Sequence, residues 1–515
     1  MHSLMSRRWV SHFLVLSVWF LLATSSMGCY TGPISSIQVR LSQTLMAADG
    51  KSKSELRVIA LNADNKPIEE LKEDIKLLLD GKPFEGKEFK TETPGKYRFQ
   101  AMWKGFNSPI VELEAKTAKD YTFTLMKQNY LWYKDTPNTP SSELESPESV
   151  VNTLAHRPDK GGKDRWTHIA DRVEYDNFYQ GKYFGIGVRI NYDAERKLRI
   201  RLVYEGTPAY KAGLRRGMIV HKINDKTIKE IEDEKLWDTI FGENKEGVKV
   251  KFDLQKGEED IKTYTVPKTE VSLPSVYTSK IHSVQDRKVG YIYFDRFIDP
   301  SNKELDKQFE NLKKEKIDDL ILDLRYNGGG LLRVAIHLAS LVLGKQGKDK
   351  TFYRYAHNDK FKHWDNDAKF EDLPQSLNLN RLFVITSGGT ASASEVVING
   401  LRAFIPVILV GNKTYGKPVG AYSYNFFNKV MSLISFRVVN NKGEGDFFDG
   451  MSVDIEVNDD ITQELGDANE ACLKAALKLV GSKSMPLLPK PILGRPVQRL
   501  KRIPWKGFQA ILQAY

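Results

Sequence analysis

Cysteine is almost missing from this chain: its 515 residues include two, Cys29 and Cys472. A disulfide framework or a cysteine-built metal site is therefore not expected, and neither is a metal or other cofactor. Histidine is scarce too, at nine. Of these, His337, His357 and His363 lie between residues 289 and 420, where none has an evident acid partner, so a histidine-based catalytic arrangement finds no support. His337 falls in an apolar helical pattern and reads as a core residue. The apolar run Phe13–Ala23 is shorter than the ~20 residues that a membrane-spanning helix needs. With Arg7 and Arg8 ahead of it and small residues behind, residues 1–28 read instead as an export signal.

The end of that signal, Ser26-Met27-Gly28-Cys29, is similar to a bacterial lipoprotein cleavage site. The similarity implies that Cys29 becomes a lipidated first residue, and that the protein is exported to the cell envelope and membrane-anchored, facing the periplasm. Cys472, among Leu473, Ala476 and Leu477, then has no partner. Net charge is +11, and more than half of it sits after Ser484, on Lys490, Arg495, Arg499, Lys501, Arg502 and Lys506. Broken by Pro486, Pro489, Pro491, Pro496 and Pro504, residues 481–515 read as an extended basic tail able to touch anionic lipid or another subunit. Basic residues with no recognisable reading module, on an exported chain, argue against nucleic acid as a partner.

At this length, with 41% apolar and 28% charged residues, the chain can hold three or four domains, each with its own core. Between 30 and 126, period-two segments such as Ile37–Leu41, Glu55–Ile59 and Tyr121–Leu125 predict a small β-sandwich. Residues 127–177, with Tyr130-Leu131-Trp132-Tyr133 and a helical pattern over Pro147–Ala155, predict a helical segment. From 271 to 480 apolar strands alternate with helices. There, Leu382–Thr386 reads as a buried strand, the small residues around Gly389–Ser392 as a tight turn, Glu395–Arg402 as a helix and Val407–Val410 as the next buried strand. Ser392 then stands at the head of a helix. An oxyanion formed by its attack on a carbonyl would meet free N–H groups and the positive end of the helix dipole. The second strand carries Lys417 back toward the serine, a pairing that suggests a serine protease with lysine as its base. Such a lysine must be neutral; its ordinary pKa is about 10.4, and burial can lower that by roughly 3–5.

Three blocks occur in order: Val289-Gly290-Tyr291-Ile292, then Asp323-Leu324-Arg325-Tyr326-Asn327-Gly328-Gly329-Gly330, then Gly389–Glu395 with Gly411–Lys417. Through them the stretch from Val289 to Gly420 resembles the C-terminal processing peptidases, or tail-specific proteases. The resemblance implies Ser392 as nucleophile, Lys417 as base, and an oxyanion hole from the N–H of Gly329 or Gly330 with that of Ala393. Glycine suits such a place because the main chain must approach the substrate closely. Two positions depart from the family pattern. Ala421 stands where many relatives have a glutamine that orients the lysine, and Ala403 where some have an aspartate.

Upstream, Phe184-Gly185-Ile186-Gly187-Val188, Gly206-Thr207-Pro208-Ala209 and Gly217-Met218-Ile219-Val220 resemble a PDZ domain over 178–270. That implies β-augmentation by a peptide C-terminus, with Phe184, Gly185, Ile186 and Gly187 as the carboxylate cradle. Apolar residues near Leu236, Trp237 and Ile240 would line a side-chain pocket. Residues 30–126 are similar to bacterial immunoglobulin-like spacer domains. The expected architecture is thus multidomain α/β: a ClpP/crotonase-like α/β protease core, a PDZ domain and an N-terminal immunoglobulin-like β-sandwich. The expected function is a serine endopeptidase acting on polypeptides recognised at the C-terminus. The alternative is a catalytically silent protein that binds C-termini without cleaving them.

Overall fold

The computed structural model describes residues 33–193 and 195–482. The expected export signal, Cys29 with its expected lipidation, and the tail from residue 483 lie outside the described residues. The described residues divide into two compact units, one built from residues 33–172 with Ala421–Leu433, the other from Val173–Gly420 and residues 434–482.

In the first unit, strand Ser36–Leu41 pairs antiparallel with Ser54–Leu61, which pairs in turn with Pro67–Leu71 and Glu88–Phe89. A second sheet runs in the order Leu45–Ala47, Val111–Lys116, Gly95–Trp103, Lys76–Leu79, Lys82–Phe84. Alternate residues of the two sheets, among them Ile37, Val39, Val58, Phe99, Ala101 and Leu113, close on one core. Tyr121–Leu125 corrects its sequence reading: it is not a strand but part of helix Ala118–Gln128. Thr117 caps that helix by accepting the Asp120 N–H, and Tyr121, Leu125 and Met126 are buried at helical spacing. Over five residues the two periods overlap, and the cap decides between them. A further helix, Pro147–Leu154, starts with proline in its first turn and Ser146 as its cap.

In the second unit, residues 188–267 form an antiparallel sheet in the order Val188–Tyr192, Leu198–Val203, Ile219–Ile223, Lys249–Gln255, Lys262–Pro267. Helix Ile228–Asp233 ends before Trp237 and Ile240, which are 1% and 8% exposed and belong to this sheet's core. Those two residues fill the interior rather than line a pocket, since a large apolar side chain gains most where every face of it is covered.

The remaining large sheet has the order Val276–Val284, Arg287–Phe294, Asp319–Asp323, Leu382–Thr386, Val407–Gly411, Ile455–Glu456. Its first pair is antiparallel and all later pairs are parallel. Helices Ser301–Lys314, Leu332–Leu343 and Ala393–Arg402 fall between successive parallel strands. The parallel strands are covered on both faces and so read as unbroken apolar runs. This register sets the C-terminal ends Asp323, Thr386 and Gly411 side by side. The glycine run, the serine turn and the lysine segment are the three loops that follow those ends, the edge of an open α/β sheet where ligands bind.

Two histidines have acid partners, those of His337 34 and 31 residues away in the chain and that of His357 eight residues on. His337 Nε2 lies 2.7 Å from Asp306 Oδ1 and its Nδ1 2.9 Å from Glu371 Oε2, while His357 Nδ1 lies 2.9 Å from Asp365 Oδ1. The expectation that these histidines lack acids is therefore corrected: the partners are brought in by folding.

Candidate active site

Ser392 sits at the break between strand Leu382–Thr386 and helix Ala393–Arg402, with φ 55° and ψ −118°. A serine held at positive φ costs on the order of 1–3 kcal/mol and persists only where its surroundings impose it. Here they do. The N–H of Ala391 donates to the Asn327 carbonyl at 3.1 Å, the Ser394 hydroxyl donates to the same oxygen at 2.9 Å, and the Thr390 hydroxyl donates to the Leu324 carbonyl at 2.8 Å. The serine turn is thus tied on both sides of Ser392 to the loop that carries the glycines.

Glu395 joins the serine turn to the lysine segment. Its side chain is fully buried. Oε2 accepts the N–H of Ser392 at 2.9 Å and that of Lys417 at 2.8 Å; Oε1 accepts the Thr414 hydroxyl at 2.6 Å and the Gly416 N–H at 2.7 Å. One carboxylate oxygen therefore holds the backbones of both sequence-predicted catalytic residues. Burial pushes the Glu395 carboxyl up to about 7, against the pull of its four donors. Tyr415 N–H donates to the Thr390 carbonyl at 2.9 Å and closes the same junction. Lys417 is half-buried.

The glycine run passes directly against the serine. A Cβ built on Gly329, whose φ is +95°, would come 2.8 Å from Ser392 Cβ and 2.8 Å from the Ala393 nitrogen. No other residue type fits that approach. The Gly329 N–H donates to Asn327 Oδ1 at 2.9 Å. Gly330 bridges Phe297 as a parallel strand, through Phe297 N–H to the Gly329 carbonyl at 3.1 Å and Leu331 N–H to the Phe297 carbonyl at 2.8 Å. The N–H of Gly330 itself takes no part in this bridge. Among the described residues, the N–H groups of Gly330 and of Ala393 have no acceptor. The structure thus brings Ser392, Lys417, Gly329, Gly330 and Ala393 to one place. Within it Gly329 contributes its missing side chain, its N–H being engaged.

Two organising residues were not assigned from sequence. Glu395 carried a signal, the S-x-x-E spacing of a capping box from Ser392. Asn327 is fully buried and receives or gives five bonds, its amide also donating to the Phe294 carbonyl at 2.8 Å and its backbone N–H to the Leu324 carbonyl at 3.1 Å. Nothing but its place before a glycine run marked it.

Upstream, Phe184 and Gly185 end strand Lys182–Gly185, which forms a separate two-stranded sheet with Thr269–Ser272. The carbonyl of buried Ile186 accepts the Ala209 N–H at 2.9 Å. Gly187, at φ 85°, donates its N–H to the Tyr183 hydroxyl at 3.1 Å. One N–H of the expected carboxylate cradle is therefore occupied from within the chain.

Residues 288–457 match the family model described as peptidase family S41. Over 314 residues the chain is 27% identical to the carboxy-terminal processing protease CtpA of Bacillus subtilis, covering 60% of this chain and 63% of that protein. It is likewise 27% identical, over 260 residues, to a Staphylococcus aureus protein named "Probable CtpA-like serine protease", covering 50% of this chain and 49% of the other. The match thus spans between about half and just under two thirds of the length of these curated relatives. A crystal structure of an S41 protein from Bacteroides fragilis superimposes with a TM-score of 0.58 at 24% identity, covering 70% of this chain and 96% of that one. The α/β protease core is the fold they share. The resemblance to the C-terminal processing peptidases, first read from three short blocks, holds over the matched region.

Proposed function

From the premise that residues 288–457 carry a peptidase family S41 domain, we propose that this protein is a serine endopeptidase with a Ser392–Lys417 dyad. Ser392 Oγ attacks a peptide carbonyl while neutral Lys417 takes its proton. The oxyanion is received by the N–H groups of Gly330 and Ala393. Lys417 then returns the proton to the leaving amine, and water, activated the same way, releases the acyl group. The observation that carries this reading is the Glu395 tether, in which one buried oxygen accepts the N–H of both Ser392 and Lys417. The free helix N-terminus at Ala393 supports the oxyanion role.

The finer parts of the reading are that residues 178–270 act as a PDZ domain taking polypeptide C-termini at Phe184–Gly187, that residues 30–126 are an immunoglobulin-like spacer, and that the protein works in the cell envelope as a lipoprotein held at Cys29. The antiparallel sheet over 188–267 and the glycine turn at Gly187 favour the first of these. The test is cleavage of an unfolded reporter carrying an apolar or a charged C-terminal tail by residues 30–515. Loss of cleavage in both Ser392→Ala and Lys417→Ala, with preference for the apolar tail, is expected. Cleavage that survives in both variants removes the dyad, and a wild type that binds tails without cleaving would make the chain a silent binder.

A further inference from the structure

Tyr326, the residue directly after Arg325 in the loop that leads to the glycines, has a backbone its residue type does not favour: φ is 64°, in the left-handed region. Glycine or asparagine enters that region cheaply, whereas a bulky side chain enters it only when held there. Tyr326 is held on three sides. Its hydroxyl donates to Asp459 Oδ2. The Arg201 guanidinium lies over its ring, 4.5 Å from the centroid. Its carbonyl accepts from Arg189 Nη1 at 3.3 Å.

These anchors are themselves fixed. Asp459 Oδ1 accepts from Arg325 Nη1 and from Arg216 Nη2, each at 3.0 Å, and Arg325 is fully buried against Asp323 and Glu470. Arg201 donates to the Tyr192 carbonyl at 2.8 Å. The next residue is Asn327, whose side chain sets Gly329 and whose carbonyl takes the N–H of Ala391 and the hydroxyl of Ser394. A change of backbone angle at 326 would swing all three.

We infer that Tyr326 is a positioning residue: its anchored side chain imposes the left-handed turn that aims Asn327, and through it sets the Gly329–Gly330 strand against Ser392. Tyr326 contacts Ser387, Asp459, Arg201 and Arg189 rather than Ser392, so that it acts through Asn327. The kinetic consequence rests on the peptidase reading above, whereas the structural consequence does not. Backbone amide exchange over residues 324–331 is therefore measured beside kcat and KM, for wild type, Tyr326→Phe, Tyr326→Leu and Arg201→Met. Faster exchange confined to this segment in Tyr326→Leu and Arg201→Met is expected, with strand Leu382–Thr386 unchanged. Tyr326→Phe keeps the ring beneath Arg201 and should restore part of the protection. In the same order kcat should fall while KM stays near the wild-type value.

Unchanged exchange at 324–331 in both Tyr326→Leu and Arg201→Met would overturn the inference, as would a loss of protection spread evenly over the sheet. If Tyr326→Leu does not fold, Tyr326→Phe and Arg201→Met decide by the same criterion. Absence of cleavage by wild type defeats the peptidase reading alone, because the exchange measurement still reports on Tyr326.

Discussion

Replacing Glu395 probes the assembly of the site at its most connected point. Glutamine retains one oxygen, best kept on the Oε2 side, where it serves the two N–H donors of Ser392 and Lys417. Its amide nitrogen then faces the Thr414 hydroxyl and the Gly416 N–H. The hydroxyl can turn and accept, although it already accepts the Met451 N–H at 2.7 Å. The Gly416 N–H cannot, and a buried donor left unpaired costs about 1–3 kcal/mol. If that cost falls on holding the lysine segment in place, kcat/KM drops roughly 5- to 150-fold.

Charge burial works in the other direction. It raises the Glu395 carboxyl to about 7, so neutral glutamine is spared a desolvation cost and global stability should change less than activity. A group raised in this way contributes stability that is fully present below its ordinary 4.5 and lost as pH rises through about 7. The glutamine variant should lack that slope. Glu395→Ala leaves three N–H groups and a hydroxyl unpaired and is expected to be inactive. The assays are reporter cleavage and urea unfolding across that pH window. Wild-type cleavage by Glu395→Ala would refute the idea that this tether assembles the site.

Gly329→Ala would drive a Cβ to 2.8 Å from Ser392 Cβ at φ +95°; folded protein without reporter cleavage is expected, checked by circular dichroism beside the assay. Tyr183→Phe frees the Gly187 N–H and should tighten binding of an apolar C-terminal peptide by roughly 2- to 10-fold, the worth of one hydrogen bond of about 0.5–1.5 kcal/mol, measured by fluorescence anisotropy. Burial works against charging His337, but the Glu371 and Asp306 carboxylates outweigh it and hold its pKa above 6.5. Its contribution is therefore full below pH 6.5 and lost as pH rises through the raised value, so His337→Ala should destabilise the protein more at pH 6 than at pH 9 in urea titrations. Trp237→Ala removes a side chain 1% exposed and should cost about 3–5 kcal/mol by the same method.

The strands and helices around the serine were legible locally because each is a short apolar run or a helical stripe bounded by small residues. Leu382–Thr386 is a strand over the residues its sequence marks, and helix Ala393–Arg402 begins at the turn after Ser392. Ser392 and Lys417 were nameable because their chemistry lies in residue type, order and spacing. Tyr121–Leu125 was misread because alternation over five residues suits either period, and Trp237 because burial depends on what packs above it.

Tertiary structure alone decided how the pieces meet. The parallel register sets the ends of three strands side by side, and only there does one buried carboxylate reach the backbones of Ser392 and Lys417. The Gly329 N–H is spent on Asn327, so the neighbouring Gly330 keeps an unengaged donor. The acids of His337 stand 31 and 34 residues away in the chain. A linear sequence records which groups exist and what local period they follow. Which donor is already paired, and which charge is stripped of water, depends on residues that become neighbours only when the sheet closes.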